Sequence, residues 1–174
     1  TYPAHISSFS RNEYNGSTVF NMTYRVADDA KKLTMPKIQR NGDGETVEVT
    51  DPKGEVLTIS CDFMVGKDYR GQGVWLTPKP KTEERWKNRK YKEFVEGLGL
   101  TFPEKKVNGK NVKVLSEIEE SDILGLPVYI TLVPHSFISN TSGDEVNTMR
   151  VGNTYKWEDG AKLDPSELEE EVPF

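Results

Sequence analysis

Residues 17–26 read Ser-Thr-Val-Phe-Asn-Met-Thr-Tyr-Arg-Val and carry the clearest structural pattern of the chain. In an extended backbone their apolar side chains share one face, because they alternate with polar ones: Phe20, Met22, Tyr24 and Val26. Residues 55–65 repeat this two-residue period, and residues 46–50 form a shorter candidate strand. Turn signals such as Asn41-Gly42-Asp43-Gly44 separate these segments. The three segments therefore predict a meander of β-strands.

After Thr82 the apolar residues recur with helical spacing instead: Tyr91, Phe94, Val95 and Leu98. Thr82 can cap the amino terminus of a helix, and Gly97 or Gly99 can end it. The spacing predicts one amphipathic helix over residues 82–98. Its basic residues cannot all face the core of the protein, so much of their charge must be solvated or bound to a ligand.

Further strands are predicted at residues 112–115, 127–133 and 149–157. Three strands, a helix and further strands is the element order of a small Greek-key barrel such as the oligonucleotide/oligosaccharide-binding (OB) fold. We therefore predict a mainly β, OB-fold-like body over residues 1–159, although other small barrels and sandwiches share this order. Residues 160–174 are acidic with few apolar side chains, which predicts a flexible acidic tail.

The charges of the chain are sorted by sign along its length. The whole chain has 23 bases and 28 acids, a net charge of −5. Residues 155–174 carry seven acids and two bases, so residues 1–154 are neutral. Within them, residues 67–92 hold nine bases and three acids, a local charge of +6. This segment can attract an anionic ligand even though the chain as a whole is acidic.

Several classes of protein are not expected from this composition. No apolar run approaches the ~18 residues of a membrane-spanning helix, and the first ten residues lack the layout of a signal peptide. We therefore expect a soluble cytoplasmic protein without membrane contacts. The single cysteine, Cys61, cannot form an internal disulfide or a thiolate metal cluster. Because His5 and His135 are far apart in the chain, we expect no catalytic triad, metal site or cofactor.

Aromatic residues are interleaved with the bases of residues 67–92, a pattern that suits single-stranded nucleic acid. Cations follow the phosphates, while aromatic rings stack on exposed bases without demanding a particular sequence. For Tyr91 a place in the core of the protein is the better interpretation. The predicted nucleic-acid-binding residues are Lys67, Tyr69, Arg70, Trp75, Lys79, Lys81, Arg85, Trp86, Lys87, Arg89 and Lys90.

The chain ends in Ser166-Glu-Leu-Glu-Glu-Glu-Val-Pro-Phe174. This ending resembles the carboxy-terminal tip of bacterial single-stranded DNA-binding proteins, which also finish with acids, an aliphatic residue, Pro and Phe. The tip of that family docks on replication, recombination and repair enzymes. The resemblance implies the same partners for six residues here: Glu169, Glu170, Glu171, Val172, Pro173 and Phe174. The tip departs from the family in having Glu for Asp and Val for Ile.

In layout the body is more similar to bacteriophage single-stranded DNA-binding proteins, in which an OB-like barrel carries an acidic tail. The first hypothesis is therefore a non-enzymatic protein that coats single-stranded DNA, in the host cytoplasm if a phage encodes it. The alternative is a viral structural or assembly protein with a docking tail. A third hypothesis is a Mg²⁺-dependent nuclease built on the acids between residues 117 and 122, although a solvated turn explains these acids more simply.

Overall fold

The computed structural model describes residues 1–169 and is mainly β, with antiparallel sheets, as predicted. Its strands are β1 (Tyr2–Tyr14), β2 (Ser17–Val26), β3 (Thr34–Pro36), β4 (Ile38–Arg40), β5 (Thr46–Glu48), β6 (Thr58–Ser60), β7 (Asp68–Arg70), β8 (Val74–Leu76), β9 (Glu104–Val107), β10 (Lys110–Lys113), β11 (Pro127–Ile138) and β12 (Glu145–Lys156). The α-helices are α1 (Arg85–Gly97) and α2 (Glu120–Ile123). Four short 3₁₀ helices cover Asp28–Lys32, Cys61–Met64, Thr82–Glu84 and Pro165–Leu168.

A six-stranded sheet forms the body, in the order β12-β11-β1-β2-β7. Strand β8 pairs with the first half of β2, along the same edge on which β7 pairs with its second half. Strands β1 and β2 form a hairpin whose two turn residues, Asn15 and Gly16, both have positive φ. This backbone matches the twist of the strands and favours Asn-Gly. Strand β12 runs beside β7, but within residues 1–169 strand pairing does not close the sheet into a barrel.

The predicted meander is wrong, because β2 pairs with β1 rather than with the later segments. Strands β3 and β6 pair with each other, and so do β4 and β5, which places residues 34–60 in a separate arm. Of residues 55–65, only Thr58–Ser60 form a strand, and Cys61–Met64 form a 3₁₀ helix. Four of the apolar residues in this pattern are exposed: Val56, Leu57, Ile59 and Phe63. An alternating pattern indicates an extended backbone, but it does not specify which other strand pairs with it.

The core lies between β2 and α1. All four alternating residues of β2 are buried, as predicted: Phe20, Met22, Tyr24 and Val26. The predicted helix is also confirmed, with Thr82–Glu84 as its 3₁₀ beginning. The Tyr91 ring packs between Phe20 and Phe102 in tilted contacts, at centroid distances of 5.6 and 5.9 Å, and these contacts hold the helix against the sheet.

Tyr91 also connects the core to the segment before α2. Its hydroxyl donates to the Ser116 carbonyl oxygen at 2.6 Å and accepts from the Ile118 amide at 2.8 Å. Burial raises the pKa of this phenol to about 12. Tyr91→Phe should lower the free energy of unfolding by about 1–3 kcal/mol, since it leaves two backbone groups without a partner. Urea denaturation measures the loss, and Tyr155→Phe at an exposed position is the control; an equal effect in both variants would contradict the assignment.

Residues 160–169, here called the strap, pack against the body. The Ala161 carbonyl lies 3.0 Å from Nε2 of His5, and the Leu163 amide donates to the Gly125 carbonyl at 3.0 Å. Arg25 donates to the Leu168 carbonyl at 3.0 Å, and the Leu168 side chain is buried. Residues on both sides of the boundary predicted at residue 160 therefore pack against the body. The rest of the predicted flexible tail, residues 170–174, lies outside the described residues.

In the part of the chain that the structure describes, no helix is both long and apolar enough to span a membrane.

Candidate nucleic-acid interface

A groove of about 690 Å³ lies between α1, the β7–β8 connection and the middle of β12. The β7–β8 connection contributes Gly71, Gln72 and Gly73, and β12 contributes residues 151–154. This is the place where the two edges of the sheet approach each other without pairing. Four predicted nucleic-acid-binding residues line it: Trp75, Trp86, Lys87 and Lys90.

Helical periodicity explains which residues of α1 reach the groove. Tyr91, Val95 and Leu98 face the core and are buried. The helix turns by ~100° per residue, so the positions next to this apolar stripe point into the groove: Trp86, Lys87, Lys90, Glu93 and Phe94. Two lysines and one glutamate give this side of the helix a charge of +1.

The backbone at Gly71 forms the floor of the groove and packs against the buried ring of Tyr24. A Cβ atom on Gly71 would lie 2.7 Å from Cε2 of Tyr24, so that a larger residue cannot take this position without a shift. Burial raises the pKa of Tyr24 to about 12, and a hydrogen bond with Thr154 of β12 opposes this rise. Tyr24 of β2 therefore lies at the floor of the groove, with Thr154 of β12 on the far wall.

The two indole rings differ in their surroundings. Trp75 is half-buried, with Nζ of Lys87 at 5.5 Å from its ring centroid. The Tyr14 and Trp75 rings meet edge to face, with 6.4 Å between their centroids. Trp86 is 55% exposed, although an indole is costly to leave in water. The groove thus holds one indole fixed by neighbours and one largely open to solvent, with ammonium groups beside them. Flat rings next to cations can stack on bases and neutralise phosphates.

The sequence pattern did not identify Tyr14, which is 64% exposed at the end of β1 and contacts Trp75. The available signal was an aromatic residue directly before the Asn15-Gly16 turn. The pairing of Val19 with Trp75 in adjacent strands brings Tyr14 beside the Trp75 ring, while Tyr14 itself lines a neighbouring pocket.

The other predicted binding residues lie away from the groove. Tyr69 packs against the core, because its pairing with Tyr24 places it on the inner face of the sheet. Arg70 lies beside Asn21 on another surface of the sheet. Lys67 sits 5.5 Å from the Phe63 ring centroid, and Lys79 lines a pocket with Tyr14.

Lys81, Arg85 and Arg89 are exposed, Lys81 just before the 3₁₀ helix and both arginines on α1, but none of the three lines the groove. Of the predicted partner-binding residues, Glu169 is exposed at the end of the strap. The remaining five, Glu170, Glu171, Val172, Pro173 and Phe174, lie outside the described residues.

The acids between residues 117 and 122 do not converge. Both oxygens of Glu117 accept hydrogen bonds from Arg11, at 2.6 and 2.7 Å, and this contact lowers the pKa of Glu117. Within residues 1–169, no group of three or more His, Cys, Asp or Glu side chains is placed to hold a metal ion.

Comparison of the chain with models of known protein families, with curated proteins and with solved structures gives no match.

Proposed function

We propose that this protein is a non-enzymatic, sequence-tolerant single-stranded DNA-binding protein and that the groove is its binding site. The observation that supports this most is the meeting of Trp75, Trp86, Lys87 and Lys90 at one open seam of the sheet. Base stacking on an indole is worth ~1–3 kcal/mol and does not depend on base identity. A duplex hides the faces of its bases, so the groove favours unpaired strands.

The order of the strands supports an OB-like interpretation of the fold. If β7 and β8 are counted as one strand, because both pair with β2, the order around the sheet becomes β12-β11-β1-β2-β7/β8. The helix α1 lies between the third and the fourth of these strands in sequence. With β12 beside β7, this order matches that of a partly open five-stranded Greek-key barrel and supports the OB-like interpretation. In OB folds the second and third strands carry the ligand, and here they lead into the groove.

Titration with oligo-dT tests the proposal. Short dT5 should quench the fluorescence of Trp75 and Trp86, while the same sequence in a duplex with dA5, linked as a hairpin, should bind far more weakly. If the two groove lysines carry the phosphate contacts, the slope of log K against log salt should be about −1.4 for dT5, from ~0.7 per contact.

Trp157 provides an internal reference for this titration, since it packs against His5 and Tyr129 away from the groove. Absence of dT5 binding at 50 mM salt would contradict the proposal. The alternative of a structural or assembly protein predicts that result, and a nuclease would instead degrade the oligonucleotide when Mg²⁺ is added.

The proposal includes a second role for residues 169–174, the recruitment of replication, recombination or repair proteins through an acidic tip that ends in Phe174. It is supported by the sequence resemblance alone. The strap places Glu169 next to the Arg25 end of β2. Phe174→Ala should abolish capture of such partners and leave dT5 affinity unchanged.

A further inference from the structure

A second basic surface lies outside the groove. It consists of Arg85, Arg89 and Lys92 on α1 together with Lys105, Lys106 and Lys110 on the β9–β10 hairpin, and it is called here the outer basic surface. On the hairpin, Lys106 shares a face with Lys113, whereas Lys105 and Lys110 lie on the opposite face, so the basic residues surround the ribbon rather than cover one side of it. Five of these side chains belong to exposed residues, and Lys92 is half-exposed. The three hairpin lysines lie outside the 67–92 segment that the charge pattern singled out.

The helical residues of this surface form one stripe. Arg85, Arg89, Lys92 and Glu96 follow each other at spacings of four, three and four residues, and therefore lie on one side of α1. This stripe is roughly 130° around the helix from the groove-facing residues. Glu96 accepts a hydrogen bond from Lys113, the last residue of β10, and this contact ties the hairpin to the stripe.

The nearby acids offset only part of the charge of the outer basic surface, because Glu96 also attracts Lys92. Glu96 is engaged by Lys113, a contact that lowers its pKa, and Glu104 stands directly across the ladder from the same lysine. Among residues 1–169, no ion pair involves Arg85, Arg89, Lys105, Lys106 or Lys110. Like charges spaced four apart on a helix destabilise it, so this clustering opposes folding.

Packing does not explain the hairpin either. All eight residues of β9 and β10 are exposed, and the Asn108-Gly109 turn has the two positive φ angles of a tight hairpin. An isolated two-stranded ribbon gains little from its own contacts. Its basic residues are therefore better explained by a ligand than by the core of this chain.

We propose that the outer basic surface is a second contact for the phosphate backbone of a single strand that has passed through the groove. This inference rests on the proposed function of the groove. Lys90 in the groove and Arg89 on the stripe are neighbours in sequence, so positive charge continues around α1 from the groove to the outer basic surface. This continuity favours a nucleic acid strand that leaves the groove over a separate acidic protein segment. The surface needs only to neutralise phosphates, for which exposed point charges suffice.

The length of the oligonucleotide separates the two contacts. A dT5 strand fills the groove alone, whereas dT25 can also reach the outer basic surface. The triple variant Lys105→Gln/Lys106→Gln/Lys110→Gln should keep wild-type affinity for dT5. For dT25 it should lose roughly 10- to 100-fold in affinity at 0.1 M salt, and its salt slope should become shallower by about 2, from three lost contacts at ~0.7 each.

The matched control removes three exposed charges from the arm of residues 34–60, as Lys37→Gln/Arg40→Gln/Lys53→Gln. It should bind both oligonucleotides like the wild type. Lys113 stays intact in both variants, so that the attachment of the hairpin to Glu96 is preserved. Equal urea midpoints for the two variants would show that neither has lost its fold.

Two results would overturn the inference: unchanged dT25 affinity in the hairpin variant, or an equal loss of affinity in the control. If the unchanged dT25 affinity is accompanied by lost binding of a synthetic peptide of residues 164–174, the occupant of the surface is an acidic protein segment. Failure of the proposed function is distinct, because the wild type would then not bind dT5.

Discussion

Trp86→Ala is expected to weaken the binding of dT5 by about 5- to 150-fold, since one base stack on an aromatic side chain is worth ~1–3 kcal/mol. Trp86 is 55% exposed and is the ring of the groove that is most open to solvent. Its removal should therefore leave the free energy of unfolding nearly unchanged. If both rings stack, adding Trp75→Leu should bring the total loss to about 2–6 kcal/mol.

Binding of dT5 is measured by fluorescence titration. In Trp86→Ala the quenching of the remaining Trp75 reports binding. The double variant has no groove tryptophan, so its affinity is measured by letting it compete with the wild type for dT5. Phe63→Ala is the matched control. The Phe63 ring is 48% exposed and its centroid lies 5.5 Å from a lysine ammonium, the same distance as in the Trp75–Lys87 pair, but Phe63 does not line the groove. The control should bind dT5 normally. A comparable loss in Phe63→Ala, or none in Trp86→Ala, would mean that the strand binds elsewhere.

Gly125→Ala is expected to destabilise the fold by about 2–6 kcal/mol, the sum of a strained backbone and an overpacked contact. Gly125 has a φ of +80°, a backbone angle that residues with a side chain rarely adopt. A Cβ atom at this position would lie 2.1 Å from the carbonyl oxygen of Leu163. The residue also bonds to the first strand and to the strap, since its amide donates to Ile6 and its carbonyl accepts from Leu163. An added methyl group must displace the strap from the body.

Gly44→Ala separates the two causes, because Gly44 has a similar φ of +78° but nothing within 4 Å of its Cβ position. It should cost only about 1 kcal/mol. Urea denaturation gives both values, and limited proteolysis should cut the strap of Gly125→Ala faster than that of Gly44→Ala. Equal destabilisation of the two variants would show that the strap does not press on Gly125.

Residues 17–26 and 82–98 were predictable because their patterns are long and regular. The buried set of β2 and the buried side of α1 follow from side-chain periods of 2.0 and 3.6, which depend only on local backbone geometry. Strand β1 was not predicted, since its buried beginning at Ala4 and Ile6 passes into a polar stretch that shows no alternation. For residues 55–65 the prediction failed in the opposite way: the alternating pattern predicted a long buried strand, but most of its apolar residues are exposed.

The candidate site was only partly predictable. Composition identified a basic, aromatic segment, but only four of its eleven predicted residues line the groove. The turn of α1 sends Lys87 and Lys90 to one side and Arg85 and Arg89 to another, which a charge sum over the segment cannot show. The β1–β2 hairpin brings Tyr14, from a distant part of the chain, into contact with the Trp75 ring at the side of the groove.

Local pattern was sufficient to establish the β-rich class, the single long amphipathic helix and the opposite charges of the middle and the end of the chain, since each is a property of neighbouring residues. Three-dimensional packing determined which strands pair, that residues 160–169 lie against the body, and that the open seam between β7 and β12 faces two indole rings. The reason is physical. Pairing and closure depend on contacts between residues far apart in the chain, whose free energy no local window contains.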